Sequence, residues 1–275
     1  MCYYIIRVEI YYLKEKTMLE VISTTKNKKY KYIKSLLQKK MRQSEGVYTV
    51  EGRKSVCDAI ESGCDILLIA VSESYFKEYG SNNGYESIIV KDELFGGLCD
   101  TKTPQGIIAV IGVPKTDNIS ISQDKLYVYC DNIQDPGNLG TIIRIADWFG
   151  IKNIVCSDTT VDVFNHKVVQ ATMGAISRVK VHYVDLEDFL SQDWGVPVYG
   201  TYLDGENIYQ STLSPSGIVV MGNEGKGISP VLADCISHRL LIPSYPPGVP
   251  TSESLNVGVA TAITIGEFRR RSFIK

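Results

Sequence analysis

Short, uninterrupted apolar runs alternate along the chain with stretches that carry helical spacing. Between about residues 45 and 113 the runs VYTV, DILLIAV, SIIV and GIIAVIGV read as strands, and residues 53–61 and 92–98 read as helices. A polar segment, PKTDNISISQD at residues 114–124, holds few apolar anchors and marks a linker. The alternation then restarts with LYVYC, a helix over 139–149, NIVC, a helix over 167–176, VKVHYV, VPVYGTY, GIVVMG and RLLIP, and a last helix over 254–271. Strands apolar on both faces, interleaved with helices, predict an α/β fold whose later part is a mostly parallel sheet covered on both sides.

A length of 275 residues suits two modest domains. The opening run, MCYYIIRVEIYYL, is interrupted by Arg7 and Glu9, well short of the roughly 18 apolar residues that a membrane span needs. Met18 opens a better-patterned stretch, so residues 1–17 are expected to be an upstream extension of the native start. A peptide containing Cys2 in the mass spectrum of the native protein would refute that.

A hydrophobic share of 44%, a charged share of 22% and a formal charge of −2 exclude disordered, collagen-like and mucin-like classes. Cys2, Cys57, Cys64, Cys99, Cys130, Cys156 and Cys235 are odd in number and widely spread, with no CxxC and no Cys/His cluster at zinc spacing. They read as reduced thiols of a cytoplasmic protein, with no metal site. The charge is uneven: residues 21–44 carry Lys26, Lys28, Lys29, Lys31, Lys34, Lys39, Lys40 and Arg42 and no acid, so +8 there leaves −10 for the rest. A helix through KKYKYIKSLLQKK would put Ile33, Leu36 and Leu37 on one side and the cations on the other. Such a face is either simply solvated or a phosphate-contacting surface whose binding weakens with salt.

Ligands of open parallel sheets bind beyond the carboxyl ends of the strands, and three loops there stand out. After LYVYC comes DNIQDPGNLGTIIRIADWFG, where Pro136 and Gly137 form a turn, Asn138 is placed to cap the next helix, and Arg144 lies six residues further on. Arg144 either leans back toward the loop or pairs with Asp147. After GIVVM comes GNEGKGIS. It is no Walker A loop, because that motif would need glycine at Val220 and Ser or Thr at Gly227. No GxGxxG follows any strand. Glycine here either lets the backbone approach a ligand, with Glu224 beside it, or makes a flexible hairpin tip. After RLLIP comes SYPPGVPTSESLNVGVATAITIGEFRRR, where Ser254, Leu255 and Asn256 open a helix apolar nearly all round, which implies burial on several sides and suggests a second subunit.

Together, DPGNLGTIIRIADWFGI, VVMGNEGKGIS and LLIP followed by SESLNVGVATAI resemble the three signature motifs of the SpoU (TrmH-like) RNA methyltransferases of the SPOUT superfamily. The resemblance covers residues 126–271, and extends more loosely to the N-terminal substrate-binding domain found in many members. It implies a C-terminal parallel-sheet SPOUT domain with a deep trefoil knot, an exception to the rule that chains do not thread loops. A smaller α/β substrate-binding domain would precede it. The expected domains are 18–113, binding RNA substrate, and 124–275, catalytic. The implied activity is S-adenosyl-L-methionine-dependent methylation of a ribose 2'-hydroxyl in tRNA or rRNA by a cytoplasmic homodimer joined through the C-terminal domain, with no membrane partner.

The resemblance also assigns catalytic positions to Asn138, Arg144, Glu224, Ser254 and Asn256, and cofactor contacts to Thr201, Leu203, Gly222, Ile242 and Leu255. It turns the basic segment toward RNA, through Lys28, Lys29, Lys31, Lys34 and Arg42. A ribose 2'-hydroxyl is a poor nucleophile and needs a base or a strong field plus in-line positioning. His166, His182 and His238 all lie outside the three loops, so no histidine base is at hand. Arg144 is the family's proposed base, yet a guanidinium stays protonated to about pH 12, which favours a role in positioning phosphate and hydroxyl. Asn138, Ser254 and Asn256 would supply neutral hydrogen bonds, and Glu224 would orient Arg144 or face the cofactor's positive end. SYPPGVPTSE is longer than the loop common in the family. Alternatives are a non-catalytic RNA-binding relative and base methylation on the same scaffold.

Overall fold

The computed structural model describes residues 19–81, 84–115, 118–185, 188–189 and 191–272. The run at 1–17, and with it the expectation of an upstream start, lies outside the described residues. The chain divides after Pro114 into two compact units.

In the first unit, β1 (Glu20–Ile22), β2 (Val47–Glu51), β3 (Ile66–Ser72), β4 (Ser87–Val90) and β5 (Ile107–Gly112) form a sheet in the order β1-β4-β3-β5-β2. β1, β4 and β3 run parallel, whereas β5 is antiparallel to both β3 and β2. Helices α1 (Lys28–Ser35), α2 (Lys39–Glu45), α3 (Arg53–Glu61), α4 (Glu73–Tyr79) and α5 (Asp92–Phe95) connect the strands. The single helix expected through KKYKYIKSLLQKK is two. Asn27 caps α1 by accepting from the backbone N–H of Lys29 and Tyr30, and the chain breaks at residues 36–38 before α2 begins. Arg42 explains the break, because its Nη1 donates to the carbonyls of both Leu36 and Leu37 at 3.1 Å and so satisfies the end of α1.

In the second unit every strand pairing is parallel. The strands are β6 (Leu126–Cys130), β7 (Asn153–Ser157), β8 (Lys180–Val184), β9 (Val198–Asn207), β10 (Gly217–Met221) and β11 (His238–Leu241), in the order β11-β9-β10-β6-β7-β8. After β6 the chain winds outward to β8, then returns to the other side of β6, so β6 and β10 meet where the winding reverses. That crevice is where such sheets hold ligands. Along β6 and β10, Val128, Cys130, Val219 and Met221 face α6 (Pro136–Trp148) and α8 (Val257–Ser272), while Tyr127, Tyr129, Ile218 and Val220 pack on Phe189, Ile228 and Leu232. Both faces are covered, which is why these strands lack polar alternation.

In the second unit, the helices expected over 167–176 and 254–271 have different bounds. The helix read over 167–176 is α7 (His166–Ala171) followed by a short 3-10 turn at Ala175–Ser177, because Met173 and Gly174 adopt φ of 51° and 92°. The last helix starts at Val257 because Asn256 accepts from the N–H groups of Gly258 and Val259 and so ends the extended approach. Gly140 has a packing role: a Cβ there would lie 2.4 Å from Ala171 Cβ and 2.8 Å from the Val168 carbonyl, so only glycine lets α6 and α7 close. Leu139, Ile142 and Ile143 on the same helix are fully buried, each contributing about 1.5–3 kcal/mol.

The far end of α8 is fixed by charge. Glu267 accepts from Arg270 Nε at 2.7 Å and Arg271 Nε at 2.7 Å, and Arg271 Nη2 reaches the Ile208 carbonyl at 2.8 Å. The Arg270 bond, opposed by burial and reinforced by Arg271, holds the Glu267 carboxyl at about 2 against an ordinary 4.5. A carboxyl depressed in the folded state gives its full stabilisation above the unfolded value, and loses it as pH falls through the folded one. Wild type is therefore expected to exceed Glu267→Gln in denaturant midpoint near neutrality, and to lose that advantage between pH 4.5 and about 2. A gap that stays constant across this window would refute the assignment. No described helix is long and apolar enough to cross a membrane.

Candidate active site

The loop after β6 begins at Asp131 and ends in a helix start that the sequence reading misplaces. Asp135, not Asn138, is the N-cap: its side chain accepts from the Asn138 N–H at 2.8 Å, and Pro136 occupies the first turn, where a missing N–H costs nothing. Asn138 sits inside the helix, and its side chain is free for other work. Asn138 Nδ2 donates to Glu224 Oε1 at 3.0 Å, and Asn138 Oδ1 accepts from Asn256 Nδ2 at 2.8 Å. The orientation of both amides is fixed from the two ends. Glu224 can only accept, and Asn256 Oδ1 is committed to backbone N–H groups at the start of α8. One polar chain, Asn256 to Asn138 to Glu224, thus joins the three loops singled out in the sequence.

The loop after β10 is a closed turn. Asn223 and Gly227 exchange backbone hydrogen bonds of 2.9 Å in both directions. Asn223 Oδ1 accepts from the N–H of Gly225 and Lys226 at 3.0 Å, and Asn223 Nδ2 reaches the Asn132 carbonyl at 2.8 Å. Gly222 is required at its base, since a Cβ would come within 2.3 Å of the Gly227 and Ile228 backbone. Glu224, at the tip, also accepts from the N–H of Asp135 at 3.2 Å and of Gln134 at 3.4 Å. Partial burial would raise its pKa, but the bonds from Asn138 and from the backbone N–H groups of Glu224, Asp135 and Gln134 outweigh that and hold it below the ordinary carboxylate range.

Glu224 therefore does not orient Arg144. Arg144 is exposed on α6 and makes no hydrogen bond or ion pair among the described residues. Nor does it pair with Asp147, which is taken by Arg178 at 2.8 Å and by Lys152 at 3.8 Å. Ser254 and Leu255, in the segment leading to Asn256, are exposed. Thr201 and Ile242 are half-buried, Gly222 is buried and Leu203 is 73% exposed. Thr201 and Leu203 lie in an excursion of β9: β11 pairs with Tyr199 and Gly200, then with Glu206 and Asn207, so residues 201–205 loop out. The structure thus gathers Asn138, Glu224 and Asn256 into one network and leaves Arg144 and Ser254 outside it. Asn223 and Asp131 escaped the sequence reading. Asn223 followed by a glycine two residues on is a turn signal that could have found the first, whereas nothing in the sequence marks a carboxylate as buried.

In the first unit Lys28, Lys31 and Lys34 are exposed on α1. Lys29 is half-buried and bound to Glu86 at 2.6 Å and Glu20 at 3.3 Å. Arg42, expected on the RNA-facing surface, is corrected by the structure: it is 4% exposed, its guanidinium committed to the α1 carbonyls.

The sequence model of the SpoU rRNA Methylase family matches residues 125–266, and that of the MRM3-like substrate binding domain matches residues 27–109. The chain is 32% identical over 254 residues to the 23S rRNA (guanosine(2553)-2'-O)-methyltransferase RlmP of Bacillus subtilis, covering 91% of this chain and 100% of that protein. Among solved structures, a TrmH-family protein from Porphyromonas gingivalis is 36% identical with a TM-score of 0.77, covering 88% of this chain and 96% of the other. An AdoMet-bound rRNA methyltransferase from Sinorhizobium meliloti is 28% identical with a TM-score of 0.80, covering 93% and 99%. Having the parallel sheet, the three bonded loops and a family match over more than half its length, this chain belongs to the SpoU rRNA methylase family.

Proposed function

We propose that the protein transfers a methyl group from S-adenosyl-L-methionine to a ribose 2'-hydroxyl in tRNA or rRNA. The observation that carries this is the hydrogen-bonded chain from Asn256 through Asn138 to Glu224, which closes three loops around the crevice between β6 and β10. The residues present suit the cofactor. Gly222, where any Cβ would clash with the Gly227 and Ile228 backbone, lets the loop close tightly beside the crevice, and the exposed or half-buried Leu203, Leu255 and Ile242 offer apolar surface to an adenine and a methionine chain. Thr201, Leu203, Gly222, Ile242 and Leu255 are the proposed cofactor contacts. S-adenosyl-L-methionine supplies an electrophilic methyl on a sulfonium, an excellent leaving group.

Within this reading Arg144, charged and unpaired among the described residues, holds a substrate phosphate and the adjoining 2'-hydroxyl in line. Ser254 offers a hydroxyl at the same rim. Asn138, Glu224 and Asn256 spend their polar groups on one another, so they act by fixing the loops. Residues 18–113 serve as the RNA substrate-binding domain and residues 124–275 as the catalytic one, with the C-terminal part threaded as a trefoil knot and the enzyme working in the cytoplasm. A homodimer through the C-terminal domain accounts for Trp148, 84% exposed on α6, and Val259, half-exposed on α8. Sedimentation at micromolar concentration should give the dimer mass.

Lys28, Lys31 and Lys34 are the proposed phosphate contacts. Changing all three to Gln is expected to weaken RNA binding and flatten the slope of log affinity against log salt by about 2–3. An unchanged slope would move RNA contact elsewhere. The function itself is tested with radiolabelled S-adenosyl-L-methionine and total RNA from a strain lacking the gene, by digesting the product and identifying the labelled nucleoside. Label in a 2'-O-methylnucleoside is the expected result. Label in a base methyl would overturn the ribose assignment, and no label despite cofactor binding would favour a non-catalytic RNA-binding protein.

A further inference from the structure

Asp131 stands at the carboxyl end of β6, with its N–H donating to the Met221 carbonyl at 2.9 Å and its side chain 1% exposed. Both carboxylate oxygens turn to one residue. Oδ2 accepts from the Ser229 N–H at 2.6 Å and Oδ1 from Ser229 Oγ at 3.0 Å. No lysine or arginine bonds to it among the described residues. A buried carboxylate held by neutral donors alone is costly to keep, and stability by itself would be served as well by an uncharged pair.

What the contact does is set by where Ser229 lies. The loop 222–229 leaves β10 at Gly222, reaches its tip at Glu224 and comes back to Ser229. At the tip it is bonded to Gln134, Asp135 and Asn138, and at the return it is bonded to Asp131. Asp131 and the cap of α6 belong to one short stretch of chain, so the loop is gripped at two points by the same segment. Gly222 and Gly227, whose backbones touch, lie between these grips. The charge also reaches the β9 excursion: Tyr202 has its hydroxyl pKa raised first by burial, with Asp204 and Asp131 pushing the same way against Arg239, whose guanidinium lies 3.9 Å over the Tyr202 ring. Asp131 is thus bonded directly to the 222–229 segment that flanks the proposed cofactor contacts.

We infer that Asp131 is a positioning residue of the cofactor site, acting through Ser229 to hold the 222–229 backbone in its binding geometry. The inference rests on the proposed use of S-adenosyl-L-methionine. Asp131→Ala is the sharp test, because it leaves the Ser229 N–H without its acceptor, whereas Asp131→Asn can accept from that N–H and donate to Ser229 Oγ and so serves as the conservative control.

Calorimetric Kd for S-adenosyl-L-methionine, KM for cofactor and for RNA, kcat and melting temperature would be compared for wild type, Asp131→Ala, Asp131→Asn and Ser229→Ala. Asp131→Ala is expected to raise the cofactor Kd and KM by about tenfold or more, Ser229→Ala, which keeps the N–H bond, by about threefold, and Asp131→Asn by less than Asp131→Ala. KM for RNA should stay within about twofold and the loss in kcat should be the smaller effect. Wild-type cofactor affinity in a folded Asp131→Ala protein would overturn the inference. So would a uniform fall in kcat and both affinities in step with melting temperature, which is what a merely structural contact gives. If Asp131→Ala does not fold, an unchanged Kd in Ser229→Ala overturns it. Wild type failing to bind S-adenosyl-L-methionine would instead refute the functional reading and the inference with it.

Discussion

Replacing Arg144 by alanine is expected to abolish methyl transfer while leaving the protein folded and the cofactor bound. The side chain is exposed and without a hydrogen bond or ion pair among the described residues, so its removal should change stability by no more than about 0.5 kcal/mol. If the guanidinium holds phosphate and hydroxyl in line, its loss should lower the rate by at least about a hundredfold, or ~2.7 kcal/mol. Arg144→Lys keeps the charge but not the two-pronged donor geometry, and should recover only part of that loss. The measurements are single-turnover methylation, calorimetric S-adenosyl-L-methionine affinity and a thermal melt on each variant. A rate above about one tenth of wild type, roughly 1.4 kcal/mol, would remove Arg144 from a central role.

Gly222→Ala is the second large effect and has a different origin. The added methyl would lie 2.3 Å from Gly227 C and Ile228 N and 2.6 Å from the Gly227 carbonyl oxygen. These are backbone atoms, which no rotamer change can move aside. Relief requires opening the Asn223–Gly227 closure, and with it the attachment of Glu224 to the start of α6. Stability should fall by about 1–3 kcal/mol, as for other overpacked sites, and S-adenosyl-L-methionine affinity by more than about tenfold. Gly225→Ala is the control within the same loop, since its nearest neighbour, Asn223 Oδ1, is 3.8 Å away. Melting temperature and calorimetric affinity should separate the two variants, and a Gly222→Ala protein that binds normally would refute the tight-base account.

The α/β class and most strands were legible because burial on both faces leaves apolar runs that periodicity detects. The order of the strands was not: that β10 lies against β6, with β9 and β11 beyond it, depends on contacts between distant segments. Local chemistry explains the shifted boundaries. Asp135 followed by Pro136 is a stronger helix start than Asn138, and positive φ at Met173 and Gly174 ends α7 early. Arg42 misled for a physical reason, since a cation in a basic run reads as solvated, whereas this one spends its donors on carbonyls left open by the break after α1. At the candidate site the residue identities came from the motifs, but their division of labour depends on the folded arrangement of the three loops. Asn138, Glu224 and Asn256 turned out to bind one another, and Arg144 was left apart.

That division also bears on how the protein is made. Asn138 and Asn256 are 118 residues apart in the chain. At a synthesis rate of about 5–20 residues per second, roughly 6–24 s separate the appearance of the first from that of the second. Throughout that interval Asn138 lacks the amide that closes the network, so β6, β7 and β8 can pair while the crevice stays open. Competence for catalysis should therefore emerge as a late step during translation, after the first unit and the strands near β6 have already formed.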